Sequence, residues 1–344
     1  MSPTIYTIML SSLATGTIIT MTSFHWLMAW IGLELNTLAI IPIISTLHHP
    51  RSTEAATKYF LTQAAASAMI LFSSMINAWN TGTWDITQMS FLPSNTLLAV
   101  ALALKLGLAP AHLWLPEVLQ GSTLLTALII TTWQKLAPMS LIFLSANNLP
   151  PMILLTLGVI SSVTGGWAGL NQTQTRKIMA FSSIAHLGWM ASITSISPNI
   201  MIMSLMIYLI MTTALFSSLI FSKSKTIQDT TTTWTLSPTL TITTMLVLLS
   251  LGGLPPLTGF LPKWLILEEL ITQNMSPLAL MMAMSALLSL FYYLRLTYTT
   301  ALTLAPNTLQ MKFKWRFKPT TPPALMAFST LSVFLLPLTP LILS

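Results

Sequence analysis

The sequence has no cysteine and very few charged residues. Its 344 residues include no Cys, and Asp, Glu, Lys and Arg together make up 6% of them. Without a thiol the chain cannot form a disulfide bond, an iron–sulfur centre or any other thiolate metal site. An ordinary soluble domain carries about 25% charged residues. A soluble globular protein is therefore excluded, and an integral membrane protein is indicated.

The charges that remain are mostly basic and give a formal net charge of +7. A basic balance raises the question of nucleic acid, but nucleic-acid-binding proteins gather their Lys and Arg residues into a patch or stripe. Here these residues are scattered between apolar runs. Basic loops that face anionic lipid headgroups explain this distribution better, so no nucleic-acid partner is predicted.

Long apolar runs fill the rest of the chain. A helix needs about 20 mostly apolar residues to cross a bilayer, and the runs predict an all-α polytopic membrane protein with about eleven transmembrane helices. The first run, IYTIMLSSLATGTIITM, follows no basic segment and is expected to be a retained helix. The predicted spans are 3–21, 25–46, 57–78, 95–120, 123–143, 149–170, 177–195, 199–221, 237–272, 276–298 and 322–342.

The fourth and ninth predicted spans are too long for one straight helix. Both contain glycine and proline breaks, so each is predicted to be one crossing made of two half-helices. The loop charges support this count, because basic residues accumulate on one side of a membrane. With the N-terminus on the basic side, that side receives 10 of the 14 Lys and Arg residues, and the C-terminus lies opposite. These ten are Arg51, Lys58, Arg176, Lys177, Lys223, Lys225, Lys312, Lys314, Arg316 and Lys318.

The two breaks resemble each other in sequence. GLAPAHLWLPE at 107–117 and GLPPLTGFLPK at 253–263 match at 5 of 11 positions, although Glu117 takes the place of Lys263. Because the broken spans are five crossings apart, a five-helix repeat would be inverted, as in transporter folds. One integral membrane domain is predicted. Its first repeat is 1–148 (helices 1–5), its second is 149–300 (helices 6–10), and a basic loop with a C-terminal helix follows at 301–344.

Three lysines lie within the predicted spans and away from the basic loops, and one acid lies near the middle of a span: Lys105, Lys135, Lys263 and Glu34. Each such residue costs roughly 2.5–3.5 kcal/mol on insertion scales, and most face a protein interior or a water cavity. A purely structural span has no need for them. These residues therefore indicate a functional site inside the membrane.

Five segments carry a resemblance to a known family. WIGLELN (30–36), EAATKYFLTQA (54–64), LALKLGLAPAHLWLPEVLQG (102–121), WQKLAP (133–138) and GGLPPLTGFLPKW (252–264) resemble the antiporter-like, proton-pumping subunits of respiratory complex I, the NADH–ubiquinone oxidoreductase of mitochondria. The resemblance covers essentially the whole chain. The wider family has fourteen helices, so it implies that the first three are missing here.

The resemblance implies a role for each buried charge. Glu34 and Lys105 match the family's carboxylate–lysine pair, Lys135 its central lysine, and Lys263 the lysine of the second broken helix. Together with buried waters they would form a polar axis at mid-membrane. Opening the Glu34–Lys105 pair would change the proton affinity of Lys105, and a proton would then pass through Lys135 towards Lys263.

The resemblance also implies a setting. The chain would lie in the mitochondrial inner membrane with its N-terminus in the matrix and its C-terminus in the intermembrane space. It would bind no cofactor itself, since FMN, iron–sulfur clusters and ubiquinone belong to other subunits of the complex. Its partners would be other membrane subunits, including neighbouring antiporter-like ones, and phospholipids. The run KFKWRFK at 312–318 can bind cardiolipin or an acidic partner, or it is an ordinary basic loop.

Four further residues are candidates for proton relay or entry. His112 and His186 can relay protons near neutral pH, or each is simply hydrogen-bonded beside a helix. Glu117 can stand at a water entrance. Glu269 can stand at an entrance or exit, or it forms a salt bridge or reaches the membrane surface.

Three other functions compete with a complex I subunit. A cation/proton antiporter subunit would have no link to quinone and would show sodium-dependent transport. A non-conducting membrane scaffold would tolerate neutral replacements of the buried charges. A quinone-binding redox enzyme would need cofactor ligands, and no such constellation is visible in the sequence.

Overall fold

Helices form every regular element in the part of the chain that the structure describes. A computed structural model describes residues 2–301 and 322–338. In chain order the helices are α1 (Pro3–Thr22), α2 (Trp26–Ile44), α3 (Pro50–Thr81), α4 (Leu92–Leu106), α5 (Trp114–Gly121), α6 (Leu124–Thr131), α7 (Trp133–Ser145), α8 (Pro151–Gly169), α9 (Thr175–Ile193), α10 (Pro198–Ser222), α11 (Ile227–Thr231), α12 (Thr233–Leu236), α13 (Pro238–Gly252), α14 (Phe260–Thr272), α15 (Ser276–Ala301) and α16 (Pro323–Phe334). Short 3₁₀ turns lie at Ser45–Leu47 and Leu336–Leu338.

Seven helical segments in these ranges are long and apolar enough to cross a membrane. They are α1, α2, α3, the continuous stretch Leu124–Ser145 that joins α6 and α7, α8, α10 and α15. The apolar helices α4, α13 and α16 are shorter. This pattern confirms the predicted all-α membrane fold with several spans, while the count of eleven crossings and the inverted repeat stay predictions.

Two compact units divide the chain. The first comprises Met1–Ser161 and Met190–Pro198, and the second comprises Ser162–Trp189 and Asn199–Ser344. Glu34, Lys105 and Lys135 belong to the first unit, and Lys263 belongs to the second. Each unit therefore contains one helix break and its own buried charges.

Helix α3 begins earlier than predicted. The apolar pattern placed its start near residue 57, but the helix starts at Pro50. Proline suits the first helical position because its fixed φ matches the helix and its missing N–H has no intrahelical partner there. His49 accepts a hydrogen bond from the Arg51 N–H through Nδ1 (3.3 Å), and Ser52 Oγ accepts one from the His49 N–H (3.1 Å). These caps extend the helix into a polar segment that hydropathy assigns to a loop.

The predicted loop at 222–236 also contains helix. Thr226 and Asp229 form a capping box, in which each side chain accepts a hydrogen bond from the other's backbone N–H, and this starts α11. Burial raises the pKa of Asp229, but hydrogen bonds from the Thr226 and Lys225 N–H groups outweigh it, so its pKa lies below the ordinary value. The predicted basic run at 312–318 lies outside the described residues.

The two predicted breaks have the same backbone form. Helices α4 and α13 both have 15 residues and end at a left-handed glycine, Gly107 (φ 78°, ψ 39°) and Gly253 (φ 78°, ψ 45°). Only glycine adopts this conformation without a steric cost. Each glycine N–H bonds to carbonyls three and four residues earlier, as is common at helix C-termini. The second half-helix then begins after equal gaps, at Trp114 and at Phe260.

Many large apolar side chains of these helices point outward. Trp79, Phe24 and Met152 are 92%, 80% and 75% exposed, and similar side chains follow the length of α1, α2 and α15. A soluble protein rarely leaves so much apolar surface open to water. These faces are therefore suited to lipid tails or to other membrane helices.

Candidate functional site: buried lysines at two helix breaks

An aromatic side chain, that of Trp114, connects the two half-helices of the first break. Trp114 is buried at the start of α5, and its Nε1 donates a hydrogen bond to the Leu104 carbonyl (3.2 Å) near the end of α4. Tyr59 of α3 packs edge-on against the Trp114 ring at 5.8 Å. These contacts hold the two half-helices of the first break in a defined arrangement.

Lys135 reaches the end of the first half-helix. It lies on α7, just after α6 and α7 meet at Thr132, whose backbone (φ −110°, ψ −72°) departs from helical geometry. Its side chain is 3% exposed, and its Nζ donates to the Leu106 carbonyl at 2.7 Å. Leu106 is the residue before Gly107, so the ammonium caps a carbonyl at the negative end of the helix dipole.

Pro138 lies one turn beyond Lys135 in α7. A proline has no N–H, so the carbonyl of Gln134, four residues earlier, loses its intrahelical donor. The backbone beside Lys135 is thus more polar than that of an ordinary membrane helix. This arrangement suits a site that has to hold water or a moving charge.

Lys105 is buried without a direct partner. It lies in the last turn of α4, is 7% exposed, and its Nζ has no hydrogen-bond partner in the described part of the chain. Glu34, on α2, interacts electrostatically with Lys105 but accepts its hydrogen bond from Thr37 Oγ1 at 3.0 Å. The two residues are therefore in the same unit and interact electrostatically, and the carboxylate–lysine pair that the resemblance implies is not in direct contact here.

Lys263 makes the same kind of hydrogen bond at the second break that Lys135 makes at the first. It lies in the first turns of α14, is 9% exposed, and its Nζ donates to the Gly252 carbonyl at 2.9 Å. Gly252 is the residue before Gly253. In both breaks a buried lysine thus caps the carbonyl that precedes the left-handed glycine, although the two lysines occupy different positions in the sequence alignment.

Lys263 also lines a surface groove of the second unit. The groove measures about 610 Å³, and its walls include Trp189, Trp264 and Leu287. Glu268 lines it as well and is exposed, whereas Glu269, on the neighbouring position, is only partly buried. The buried Lys263 thus lies beside a largely apolar groove that also includes an exposed carboxylate.

His186 lies among buried tyrosines of the second unit. Its Nε2 is 3.5 Å from the hydroxyl of Tyr293, and its ring is 5.5 Å from the ring of Tyr208. It also interacts electrostatically with Lys263. His186 is therefore placed beside a hydroxyl and within the field of a buried lysine, as a relay residue would be.

The other two relay candidates have different surroundings. His112 lies within the first break, partly buried, and its Nδ1 has no hydrogen-bond partner in the described ranges. Glu117 is exposed and forms a salt bridge with Lys58, which also pairs with Glu54. The entrance role of Glu117 stays a prediction, and the carboxylate in question is the one paired with Lys58.

Matches with known proteins place the chain among respiratory and antiporter membrane subunits. A family model described as NADH:quinone oxidoreductase/Mrp antiporter, TM, covers residues 23–289, and one described as NADH dehydrogenase subunit 2 C-terminus covers residues 290–343. NADH-ubiquinone oxidoreductase chain 2 of Carassius auratus is 55% identical over 347 residues, which cover 100% of this chain and 99% of the relative. The chain belongs to the NADH–ubiquinone oxidoreductase chain 2 family. This membership confirms the resemblance that the five sequence segments indicated.

Relatives and solved structures agree with membership of the chain 2 family. Chain 2 of Varanus timorensis is 55% identical over 344 residues, which cover 100% of both proteins. A chain in a structure of respiratory complex I from Thermus thermophilus with bound Aureothin has a TM-score of 0.85 and 28% identity, over 95% of this chain and 77% of that one. A chain of the Mrp complex from Dietzia sp. DQ12-45-1b, with a TM-score of 0.78 and 16% identity over 92% and 63% of the two chains, shows the shared fold alone.

Several polar residues around the lysines were not singled out from the sequence. The cavity beside Lys105 and Lys135 is also lined by Asn36, Gln63 and Gln134. A weak signal existed, since Tyr59 and Gln63 are four residues apart and share one helix face. An uncharged amide in a membrane helix is less conspicuous than a charge.

Proposed function

We infer that this chain is a core membrane subunit of respiratory complex I and contributes to proton translocation across the mitochondrial inner membrane. Electron transfer from NADH to ubiquinone takes place in other subunits, so the chain acts as part of a proton-translocating NADH:ubiquinone reductase. Its membership of the chain 2 family supports this function. FMN, iron–sulfur clusters and ubiquinone are assigned to the other subunits.

One observation supports a proton-carrying role most directly. Lys135 and Lys263 both hold a half-helix carbonyl, at 2.7 and 2.9 Å, while almost fully buried. A protonated lysine gains from the negative helix end, whereas burial favours the neutral amine. These opposing effects bring the two protonation states of the buried amine closer in free energy, which is the condition for a site that both takes up and releases a proton.

Lys105 is the residue whose charge state the complex would control. Its Nζ has no hydrogen-bond partner among the described residues, and Glu34 stabilises its charge from a distance. A small approach of Glu34 would favour the ammonium form, and its withdrawal would favour release of the proton. Lys105 and Lys135 line one cavity, and charge changes driven by quinone chemistry elsewhere would shift the position of a proton between them.

The finer predictions on topology belong to the same proposal. We propose eleven crossings, with inverted repeats at 1–148 and 149–300 and a C-terminal segment at 301–344, the N-terminus in the matrix and the C-terminus in the intermembrane space. The equal lengths of the first half-helices and the matching glycine conformations at the two breaks support the repeat. The partners would be neighbouring antiporter-like subunits and phospholipids, with cardiolipin at the basic run.

Relay and entry roles are assigned to the remaining candidates. His186, beside Tyr293, and His112, within the first break, would pass protons between water and the lysines. Glu117 and Glu269 lie nearer the surface and would supply or receive protons there. The salt bridge of Glu117 with Lys58 supports a fixed position for that carboxylate.

A Lys263→Met variant tests the function. Methionine keeps the length and apolar stem but removes the proton-binding amine. In sealed vesicles that contain the assembled complex, we expect NADH-driven proton pumping to fall, with or without sodium in the medium. The matched control is Lys225→Met, because Lys225 is exposed in a loop.

The runner-up function is a cation/proton antiporter subunit, which the shared fold with the Mrp chain favours. Pumping that requires sodium would support it. Normal pumping by a fully assembled Lys263→Met complex would instead support a non-conducting scaffold and contradict the proposal.

A further inference from the structure

A small polar cavity lies between the two lysines of the first unit. Lys105 and Lys135 both line it, and α2, α3 and α5 complete its walls. The centre of a water-sized sphere can occupy a volume of about 20 Å³ inside the cavity. One water molecule needs about 10–15 Å³ on this measure, so the cavity suits one water and not a chain of several.

The walls of this cavity carry uncharged amides that have no partner. Asn36 is 1% exposed and Gln63 is 4% exposed, and Gln134 is partly buried. Both amide atoms of Asn36, and Nε2 of Gln63 and of Gln134, are without a hydrogen-bond partner in the described part of the chain. Buried polar groups are nearly always paired with protein or with ordered water, so these side chains call for a small polar ligand.

Residues of several helices line this one cavity. Leu33, Asn36 and Thr37 form one face of α2, and Tyr59 and Gln63 form one face of α3. Gln134 precedes Lys135 at the bend between α6 and α7. A buried water makes about three hydrogen bonds, with a range of two to four, and three amides with the unpartnered Lys105 ammonium can supply that number.

We propose that Asn36, Gln63 and Gln134 are positioning residues that hold a single water molecule between Lys105 and Lys135. This inference rests on the proposed function and deepens it by naming what connects the two lysines. The water is the link through which a proton leaves Lys105 and reaches Lys135. No bond other than those to the transferred proton is made or broken.

Amides suit this task because they do not titrate and carry both a donor and an acceptor. A water beside an ammonium must accept a hydrogen bond, and beside a neutral amine it can donate one. An amide can serve the water in either orientation. A carboxylate can only accept and would also attract the proton to its own vicinity.

A Gln63→Met variant tests the inference in the assembled complex. Methionine has similar length and volume but forms no comparable hydrogen bond. High-resolution electron cryomicroscopy of the wild-type complex is expected to show a water between Lys105 and Lys135, and the variant is expected to lower its occupancy by roughly tenfold. The ratio of protons pumped to electrons transferred is expected to fall in parallel. Gln88→Met is the matched control, because Gln88 is exposed.

A Gln63→Glu variant separates positioning from simple packing. Besides Lys105 and Lys135, the titratable group that lines the cavity is Tyr59, and Glu34 acts on Lys105 from nearby. The added carboxylate keeps a hydrogen-bonding group in place but stabilises the ammonium form of the lysines. Pumping is therefore expected to persist with its pH dependence moved to higher pH, which a merely structural role would not cause.

The outcomes distinguish this inference from the proposed function. If Gln63→Met pumps normally while Lys135→Met does not, the water link is wrong and the proton role of the lysines stands. If the Gln63→Met and Lys135→Met complexes both pump normally, the water link and the proton role of the lysines are both wrong. If Gln63→Met is poorly assembled, the Gln63→Glu profile decides, and an unshifted profile overturns the inference.

Discussion

At the scale of single residues, the most informative contacts are those between a buried lysine and one backbone carbonyl. Lys135 bonds to Leu106 and Lys263 bonds to Gly252, each directly before a left-handed glycine. The same chemistry is thus reached from two different helices, α7 and α14. Alignment of the two breaks cannot reveal this, because it places Glu117 opposite Lys263.

A second prediction at this scale concerns the ion pairs of Lys58. It pairs with Glu54 and Glu117, but all three side chains are substantially exposed. Exposed ion pairs typically contribute about 0–1 kcal/mol because water screens them. A Lys58→Met variant is therefore expected to leave the amount of assembled complex on native gels unchanged, as is Lys225→Met. Loss of assembly in Lys58→Met alone would mean that this triad is a structural anchor.

The charged candidate residues could be identified from the sequence, whereas their hydrogen-bond partners could not. A charge inside an apolar run is conspicuous, so Glu34, Lys105, Lys135 and Lys263 stand out without a structure. Which carbonyl or amide each one meets depends on tertiary packing. The unpartnered amides and the tyrosines near His186 were missed for this reason.

At the scale of the helices, the breaks work because glycine permits a sharp end. A Cβ added at Gly253 would lie 3.0 Å from the Lys263 side chain, in addition to the strain of φ 78°. Gly82 has a similar φ of 74°, but a Cβ there would meet nothing within 4 Å. Substitutions at these two glycines therefore distinguish the effect of backbone strain from the effect of displacing the Lys263 side chain.

A Gly253→Ala variant is expected to pump less efficiently than Gly82→Ala. Both carry the strain of an alanine in left-handed conformation, roughly 1–2 kcal/mol. Only Gly253→Ala also moves Lys263 away from the Gly252 carbonyl. The measurement is the proton-to-electron ratio at equal levels of assembled complex. Equal ratios in the two variants would show that the contact between Lys263 and the half-helix end is not needed for pumping.

Hydropathy predicted the apolar parts of the helices better than their ends. The start of α3 at Pro50 depends on His49 and Ser52 as caps, and α11 depends on the Thr226–Asp229 capping box. Arg295 of α15 donates hydrogen bonds to the carbonyls of Leu170 and Gln172, just after α8. Such local hydrogen bonds are invisible to a moving average of hydrophobicity.

At the scale of the whole molecule, the outward-facing apolar side chains and the buried charges form one consistent arrangement. Lipid or neighbouring helices would cover the apolar side chains, while the buried charges lie inside each unit at a helix break. The fold class and the family could be predicted because the composition and the long motifs that indicate them extend over the whole chain. The number of crossings is harder, because α4 and α13 are each too short to span alone and count as crossings only with their second half-helices.

The most direct test of the central claim is the proton-to-electron ratio of complex I assembled with Lys135→Met. Methionine removes the amine that caps Leu106 and leaves the apolar stem, so assembly is expected to survive. NADH oxidation and proton release are measured together in sealed vesicles, beside Lys225→Met as the control. The ratio is predicted to fall below that of the wild type and the control. An unchanged ratio in a fully assembled Lys135→Met complex would contradict the account.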